Sequence, residues 1–366
     1  MSEPKTIIIA SGGTGGHLYP TIAIADEIKR WHPDIRVVFI GTPDRIEAKE
    51  VPRVGYPFEA IQMEAPRKSA VSLVKFPFTL VRAVRRSRAI VKKYKPIAIL
   101  CGGAYLTVPV GIAARMLSVP LALLEINSIA GKANKLLSRW ADKIFLAYPE
   151  SCKEFASVPE RKFTVCGTPV RLSFGSHTID AEKARIGFGL NPDRETILVF
   201  GGSLGARSIN VAVAANANAI TEAGFNLLWQ VGKGNDAEGL KAKFASNRNV
   251  SVQEYIYEME WAYDACDLVV SRAGASSLAE LSVLGKPAVL VPYPLAAENH
   301  QEANARAFES DGAAVVIRDS ELSEKLLSTL VALMRSPETR QKMSLAMKAR
   351  ENKDAAKIVG EWLASR

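Results

Sequence analysis

The chain of 366 residues is poor in cysteine and arranges it for no chemistry: Cys101, Cys152, Cys166 and Cys266 are widely scattered, with no C-x-x-C pair and no accompanying histidine spacing. That spacing argues against a zinc site and a disulfide framework, and leaves four buried free thiols in a reducing compartment as the expectation. The start, Ser2-Glu3-Pro4, runs directly into an apolar strand and lacks the basic-then-apolar pattern of a secretory signal, so cytoplasm is the expected location. A membrane-spanning helix is not expected either. The uncharged stretch Ile97–Ala114 contains Gly102-Gly103, Thr107 and Pro109 and reads as strand, turn and helix start, short of the ~20 unbroken apolar residues a span needs. No Asp-x-Asp occurs, which counts against a metal-diphosphate site; neither a metal nor a cofactor is expected.

Acidic residues are missing from one long segment. Between Glu64 and Glu125 none occurs, while Arg67, Lys68, Lys75, Arg82, Arg85, Arg86, Arg88, Lys92, Lys93, Lys95 and Arg115 all fall there. Without this segment the net charge of +9 nearly vanishes. Interleaved with the first of these cations is an apolar set, Val71, Leu73, Val74, Phe76, Phe78, Leu80 and Val81. One reading is a solvated basic helix over an ordinary core. The other is a membrane-surface patch drawn to anionic headgroups at about 1 kcal/mol per basic residue. No nucleic-acid-binding motif accompanies the charge.

What is present is glycine at strand ends. The run Thr6–Ala10 breaks into Ser11-Gly12-Gly13-Thr14-Gly15-Gly16-His17 and leads into a helix expected from Thr21 to Arg30. Glycines let the backbone approach a ligand closely, and the helix start aims amides and a positive dipole end at it. Neither familiar phosphate motif fits: from Gly13 the third position of G-x-G-x-x-G is Leu18, and no Gly-Lys pair is followed by Ser or Thr. A second strand, glycine loop and helix follow at Ile197–Phe200, Gly201-Gly202-Ser203-Leu204-Gly205 and Ser208–Ala223.

Short apolar strands alternate with helical patterns throughout. The expected strands are Thr6–Ala10, Val37–Ile40, Ile97–Leu100, Leu121–Leu124, Ile197–Phe200, Asn226–Trp229, Leu268–Val270 and Ala288–Val291, and Gly285-Lys286-Pro287 should stop a helix Ser276–Leu284. This predicts an α/β chain of two doubly wound, Rossmann-like domains with parallel sheets facing across a cleft. The boundary is expected near Cys166–Pro169, where a further short strand ends in Gly and Pro, giving domains of 1–165 and 166–347, with about 348–366 a candidate to pack back on the first.

Three polar groupings could carry chemistry. In Ser271–Glu280, Ser276 and Ser277 mark a helix start that could bind a diphosphate, with Glu280 one turn on to accept ribose hydroxyls. The bland alternative is a serine cap with Glu280 closing a capping box from Ser277. Glu298-Asn299-His300-Gln301 through Asn304 suits sugar hydroxyls or simply a solvated helix start, and Glu125-Ile126-Asn127 emerges from a strand end.

Gly12–His17, Gly167-Thr168-Pro169-Val170-Arg171, Gly201–Arg207, Arg272–Glu280 and His300-Gln301 with Asn304 together resemble, in order and spacing, the MurG family. Those enzymes are bacterial N-acetylglucosaminyltransferases acting on undecaprenyl-diphospho-N-acetylmuramoyl-pentapeptide. The resemblance covers nearly the whole chain. It implies a GT-B fold and an inverting transfer of GlcNAc from UDP-GlcNAc to the C4 hydroxyl of the muramoyl sugar, in peptidoglycan synthesis. It places Thr14, Gly15, Gly16, Asn127, Arg171, Ser203, Ile256, Ala275, Ser276, Ser277, Leu278, Ala279, Glu280 and Gln301 on the donor: Ile256 at the uracil through its backbone, Glu280 at the ribose, Ser276 and Ser277 at the diphosphate, Gln301 at the sugar. His17 is the first choice of base and Glu125 the second. The patch containing Val71, Leu73, Phe76, Phe78, Arg82, Arg85 and Arg86 becomes a membrane-docking face, which implies a peripheral protein on the cytoplasmic side of the cell membrane.

Alternatives are a related transferase with another lipid acceptor and, less favoured, a UDP-GlcNAc 2-epimerase. Where family members commonly carry Glu-Gln-Asn, Gly-Gly-Tyr and Gly-Ser-Gln-Gly, this chain has Glu125-Ile126-Asn127, Gly103-Ala104-Tyr105 and Gly202-Ser203-Leu204-Gly205.

Overall fold

A computed structural model describes residues 4–63, 70–171, 179–296 and 299–366, with backbone alone for 70–75. The chain divides into two compact units, Met1–Arg171 with Asn352–Arg366, and Leu172–Glu351.

The first unit is built on β1 (Thr6–Ala10), β2 (Arg36–Gly41), β3 (Phe58–Ala60), β4 (Ala98–Cys101), β5 (Leu121–Glu125), β6 (Lys143–Leu146) and β7 (Phe163–Val165). They form one parallel sheet in the order β3-β2-β1-β4-β5-β6-β7. Strands with no polar alternation can be stable only when both faces are covered. Ile8, Ala10, Val38, Ile40, Ile99 and Cys101 face one core, shared with Ala83, Ile90 and Val91 of the helix Ala70–Tyr94 and Val110 and Ala113 of the helix Thr107–Met116. Across the sheet, Gly360 of the last helix, Ala355–Ala364, lies against Ile28 of the helix Gly15–Trp31, and Trp362 meets Phe145 of β6 edge-on at 6.1 Å. Each fully buried isoleucine contributes about 1.5–3 kcal/mol.

The second unit repeats the plan with β8 (Thr196–Phe200), β9 (Asn226–Gln230), β10 (Val250–Gln253), β11 (Leu268–Ser271), β12 (Ala288–Leu290) and β13 (Ala314–Val316), all parallel in the order β10-β9-β8-β11-β12-β13. The strand order reverses between β1 and β4, and again between β8 and β11. Open parallel sheets bind ligands at such switch points, outside the carboxyl ends of the strands.

Two expectations need correction. The first helix starts at Gly15, six residues before the expected Thr21, so Gly15, Gly16 and His17 form its first turn. The Thr14 carbonyl accepts from the His17 and Leu18 amides, and Thr21 Oγ1 donates to the Leu18 carbonyl at 2.7 Å beside Pro20, whose ring nitrogen has no hydrogen. The expected strands also omit β3, β6, β10 and β13. Three of these are sheet edges with half-exposed residues, so no continuous apolar run marks them.

Candidate active site

In the first unit the glycine loop is fixed by a residue that carries no sequence motif. Glu47, fully buried at the start of the helix Glu47–Arg53, accepts from the Gly13 amide at 3.2 and 3.3 Å, from the Thr42 amide at 3.0 Å and from Thr42 Oγ1 at 2.7 Å. A β-carbon on Gly12 would stand 2.1 Å from Glu47 Oε1, and one on Gly41 would stand 2.4 Å from its Cγ. Two glycines are therefore required by the path of one carboxylate. Gly13 itself has φ +88°, open to glycine without strain.

His17 is half-buried at the first turn of its helix, its carbonyl accepting from Ser11 Oγ at 2.9 Å. Its imidazole lies against Gly103, just beyond β4, which brings the two strand ends of the switch point together. Thr14 is exposed and extended ahead of the helix, with no side-chain cap bond.

Glu125 ends β5 and is 2% exposed. Oε1 accepts from the Asn127 amide at 3.0 Å and Asn127 Nδ2 at 3.2 Å, and Oε2 accepts from the Gly131 amide and Asn134 Nδ2, both at 2.9 Å. Four donors bind this carboxylate into its loop and thereby orient Asn127. Arg171, the last residue of the unit's first segment, lays its guanidinium 5.3 Å from the centre of the Tyr19 ring. Nearby Asp26 is pushed above the ordinary aspartate range by burial, against the opposing hydrogen bond from Tyr56 and the charges of Arg171 and Lys29.

In the second unit the loop Gly201–Ala206 leaves β8 with φ +92° at Gly202 and +74° at Gly205. It packs backbone to backbone on the turn after β9: a β-carbon on Gly205 would stand 1.9 Å from the Val231 carbonyl oxygen, and one on Gly232 would stand 2.0 Å from the Gly205 nitrogen. Ser203 accepts through its carbonyl from the Lys233 amide at 3.0 Å. Gln230, 4% exposed at the end of β9, joins two loops: its Nε2 donates to the Gly202 carbonyl at 3.3 Å and its Oε1 accepts from the Ile256 amide at 2.8 Å. The Ile256 amide is therefore already engaged within the fold.

Across the switch point, the helix Ala275–Leu284 is preceded by Gly274 in an extended conformation with no side-chain cap. The capping box from Ser277 to Glu280 does not form. Glu280 instead accepts from the Tyr263 hydroxyl at 2.8 Å, while Ser276 and Ser277 stand half-buried in the first turn. Leu278 is fully buried, so it can reach a ligand only through its backbone; Ala275 is buried and Ala279 half-buried. Gly285 stops the helix at φ +64°, its amide bonding the Ser282 carbonyl. Gln301, in the first turn of the helix His300–Ser310, accepts through Oε1 from the Tyr293 amide at 3.0 Å. Arg272 bonds Asp319 at 2.6 Å, Ser208 Oγ at 2.9 Å and the Val291 and Pro292 carbonyls at 3.1 Å. That network ties the site's loops to one another rather than offering a cation outward.

Two family models match: the glycosyltransferase family 28 N-terminal domain over residues 7–146 and its C-terminal domain over 196–359. A UDP-N-acetylglucosamine–N-acetylmuramyl-(pentapeptide) pyrophosphoryl-undecaprenol N-acetylglucosamine transferase from Phocaeicola vulgatus is 38% identical over 362 residues, 98% of this chain and 96% of the relative. A protein of the same name from Desulfitobacterium hafniense is 39% identical over 366 aligned positions, 98% of each chain. The chain belongs to the MurG family. The crystal structure of Acinetobacter baumannii MurG superposes with a TM-score of 0.74 at 26% identity, covering 99% of this chain and 100% of that one. The fold is accordingly GT-B, and the chain is a glycosyltransferase.

Three positions distinguish it from the usual MurG-family pattern. Ile126 is buried, 3% exposed, and Leu204 stands 74% exposed at the tip of the second glycine loop. Ala104 has φ +67°, a left-handed conformation that the family's more usual glycine adopts without strain. Glu47, Gln230 and Tyr263 were missed by sequence reasoning. Their positions next to strand ends and helix starts were the available signal, but nothing in their neighbours' identity shows which carboxylate, amide or phenol turns inward.

The basic helix Ala70–Tyr94 turns two sides to its surroundings. Phe78 is 77% and Val81 52% exposed, and Arg82, Arg85 and Arg86 share the exposed side. Phe76 is half-buried and meets Tyr105 edge-on at 6.5 Å, so it packs on the core. The side chains of Val71 and Leu73 lie outside the described residues. Among the described residues no helix is long and apolar enough to cross a membrane.

Proposed function

We propose that the chain transfers GlcNAc from UDP-GlcNAc to the C4 hydroxyl of undecaprenyl-diphospho-N-acetylmuramoyl-pentapeptide, with inversion at the anomeric carbon. The observation that carries this reading is the match to named transferases over 98% of the chain. In the second unit Glu280 takes the ribose, Ser276, Ser277 and the amides around Ser203 the diphosphate, Gln301 the sugar and Ile256 the uracil; in the first unit Thr14, Gly15, Gly16, Asn127 and Arg171 are the substrate-binding residues. An uncapped helix start beside a glycine loop supports this assignment, because both present amides to an anion.

In the reaction the acceptor oxygen forms a bond to the anomeric carbon as the bond from that carbon to the diphosphate oxygen breaks. The electron pair leaves with UDP, and the acceptor proton passes to the base. His17 is favoured as base because an imidazole can take a proton near neutral pH, whereas both oxygens of Glu125 are already engaged by four donors. Preorganised donors facing the leaving diphosphate are worth about 3–4 kcal/mol each.

The exposed Phe78, Val81, Arg82, Arg85 and Arg86 support docking of the first unit on an anionic membrane, at the cytoplasmic face where the lipid-linked acceptor is presented. The product feeds peptidoglycan synthesis and, through it, cell shape and division. A coupled UDP-release assay with UDP-GlcNAc, with and without a short-chain analogue of the acceptor lipid, tests the reading. Release that requires the analogue is expected. Donor binding without acceptor-dependent release would refute the assigned acceptor.

A further inference from the structure

The carboxylate of Glu280 is held by a phenol from a neighbouring helix. Tyr263 belongs to the helix Met259–Ala265, which enters β11, and Glu280 to the helix that leaves it. The Tyr263 ring is fully buried, and its hydroxyl donates to Glu280 Oε2 at 2.8 Å. The same ring stands edge-on to Phe200, with centroids 6.2 Å apart and planes at 79°. Phe200 is the last residue of β8, immediately before Gly201-Gly202. One rigid side chain thus touches both the carboxylate and the strand end from which the glycine loop departs.

A glutamate at the surface of a site loses side-chain entropy when a ligand immobilises it. A buried partner that commits one carboxylate oxygen removes part of that cost before the ligand arrives. Burial first, and the charge of Glu280 second, push the Tyr263 phenol well above its ordinary range, so it remains a proton donor at any working pH.

Resting on the reading that Glu280 takes the donor ribose, we propose that Tyr263 is a positioning residue for ribose recognition: it clamps Glu280 so that the carboxylate meets the vicinal hydroxyls already oriented, and the site thereby selects ribonucleoside over 2′-deoxyribonucleoside diphosphates. Tyr263 touches no substrate atom in this scheme and acts only through Glu280.

The test is calorimetric titration of UDP and of 2′-deoxy-UDP into the full chain, the Tyr263→Phe and Glu280→Gln variants, and the double variant, with melting temperatures measured alongside. The unaltered chain is expected to prefer UDP by roughly ten-fold or more, the scale of a hydrogen bond to a charged group. Tyr263→Phe is expected to bring the two affinities within about three-fold of each other and to raise the KM for UDP-GlcNAc while leaving that for the acceptor unchanged. In the Glu280→Gln background, removing the phenol should change the ratio no further. A purely structural tyrosine would lower the melting temperature and keep the ratio, which overturns the inference. So does an effect of Tyr263→Phe that persists undiminished without the Glu280 carboxylate. If the unaltered chain binds both nucleotides equally, the ribose reading itself falls.

Discussion

The imidazole of His17 occupies the space a side chain on Gly103 would need: a β-carbon there would stand 2.8 Å from both Cε1 and Nδ1 of the ring. Gly103 also has φ +95°, so the position is closed to other residues twice over, by backbone conformation and by the histidine. The loops after β1 and β4 are therefore shaped together at the switch point of the first sheet.

Gly103→Ala should displace the imidazole. The expected result is a fall in kcat of about ten-fold or more, with UDP binding unchanged, since the donor site is assigned chiefly to the other unit. Steady-state kinetics paired with UDP titration checks this; full turnover would show that the ring's place is immaterial.

His17→Ala should lower kcat by roughly 10²–10⁴-fold, the usual share of a general base, without weakening UDP-GlcNAc binding. Single-turnover measurement at saturating donor and acceptor separates chemistry from product release. Near-normal turnover would remove His17 from the base role and return attention to Glu125.

Glu47→Gln leaves one oxygen to accept from Thr42 and turns the other, which accepts from the Gly13 amide, into an NH2 group that meets that donor with another donor. Leaving such buried donors unsatisfied costs about 1–3 kcal/mol, measurable as a lower urea midpoint with an unchanged slope. Because Gly13 belongs to the loop that leads to His17, kcat should fall as well. A variant with unaltered stability and turnover would show that the loop holds itself.

Ala104→Gly should stabilise the first unit by about 0.5–1 kcal/mol, because a left-handed alanine is strained and glycine is not. Equilibrium denaturation of the two forms decides it, and a loss of stability would mean that the unfolded-state entropy of glycine outweighs the relief.

Acid should loosen the basic helix from β3. Burial alone would raise the carboxyl of Glu59, but the hydrogen bonds from Lys93 and Tyr94 and the charges of Lys93 and Arg86 outweigh it and hold the group below the ordinary glutamate value of 4.5. A depressed carboxylate contributes stability that is present above its unfolded value and lost as pH falls through its lower folded value. Melting temperature against pH should therefore fall less steeply below about pH 4.5 in Glu59→Gln than in the unaltered chain. Identical acid limbs would contradict the pairing.

Much of the fold is readable from one-dimensional pattern because a strand buried on both faces must be continuously apolar. Ile7–Ile9, Leu121–Leu124 and Ile197–Phe200 stand out for that reason, as does the Gly285 stop. The short edge strands Phe58–Ala60 and Ala314–Val316 do not, since partial exposure removes the constraint that would make them conspicuous. In the site, glycine at strand ends and serine at a helix start were legible as backbone requirements. The capping box at Glu280 was equally consistent with spacing, and only the helix start at Ala275 after Gly274, which puts Ser277 inside the helix rather than at its cap, rules it out.

The sequence by itself determined the alternation of strand and helix, the two glycine loops, the family and the concentration of basic charge, because each is local or follows from matching residues in order. The tertiary structure decided which buried polar groups meet. Glu47 with Gly13, Gln230 with Ile256, Glu125 with Asn134 and Tyr263 with Glu280 are partnerships across separate elements. A polar group that leaves water must find a partner wherever the packed chain supplies one. Which partner that is depends on strand order and crossover paths, and no spacing along the chain records it.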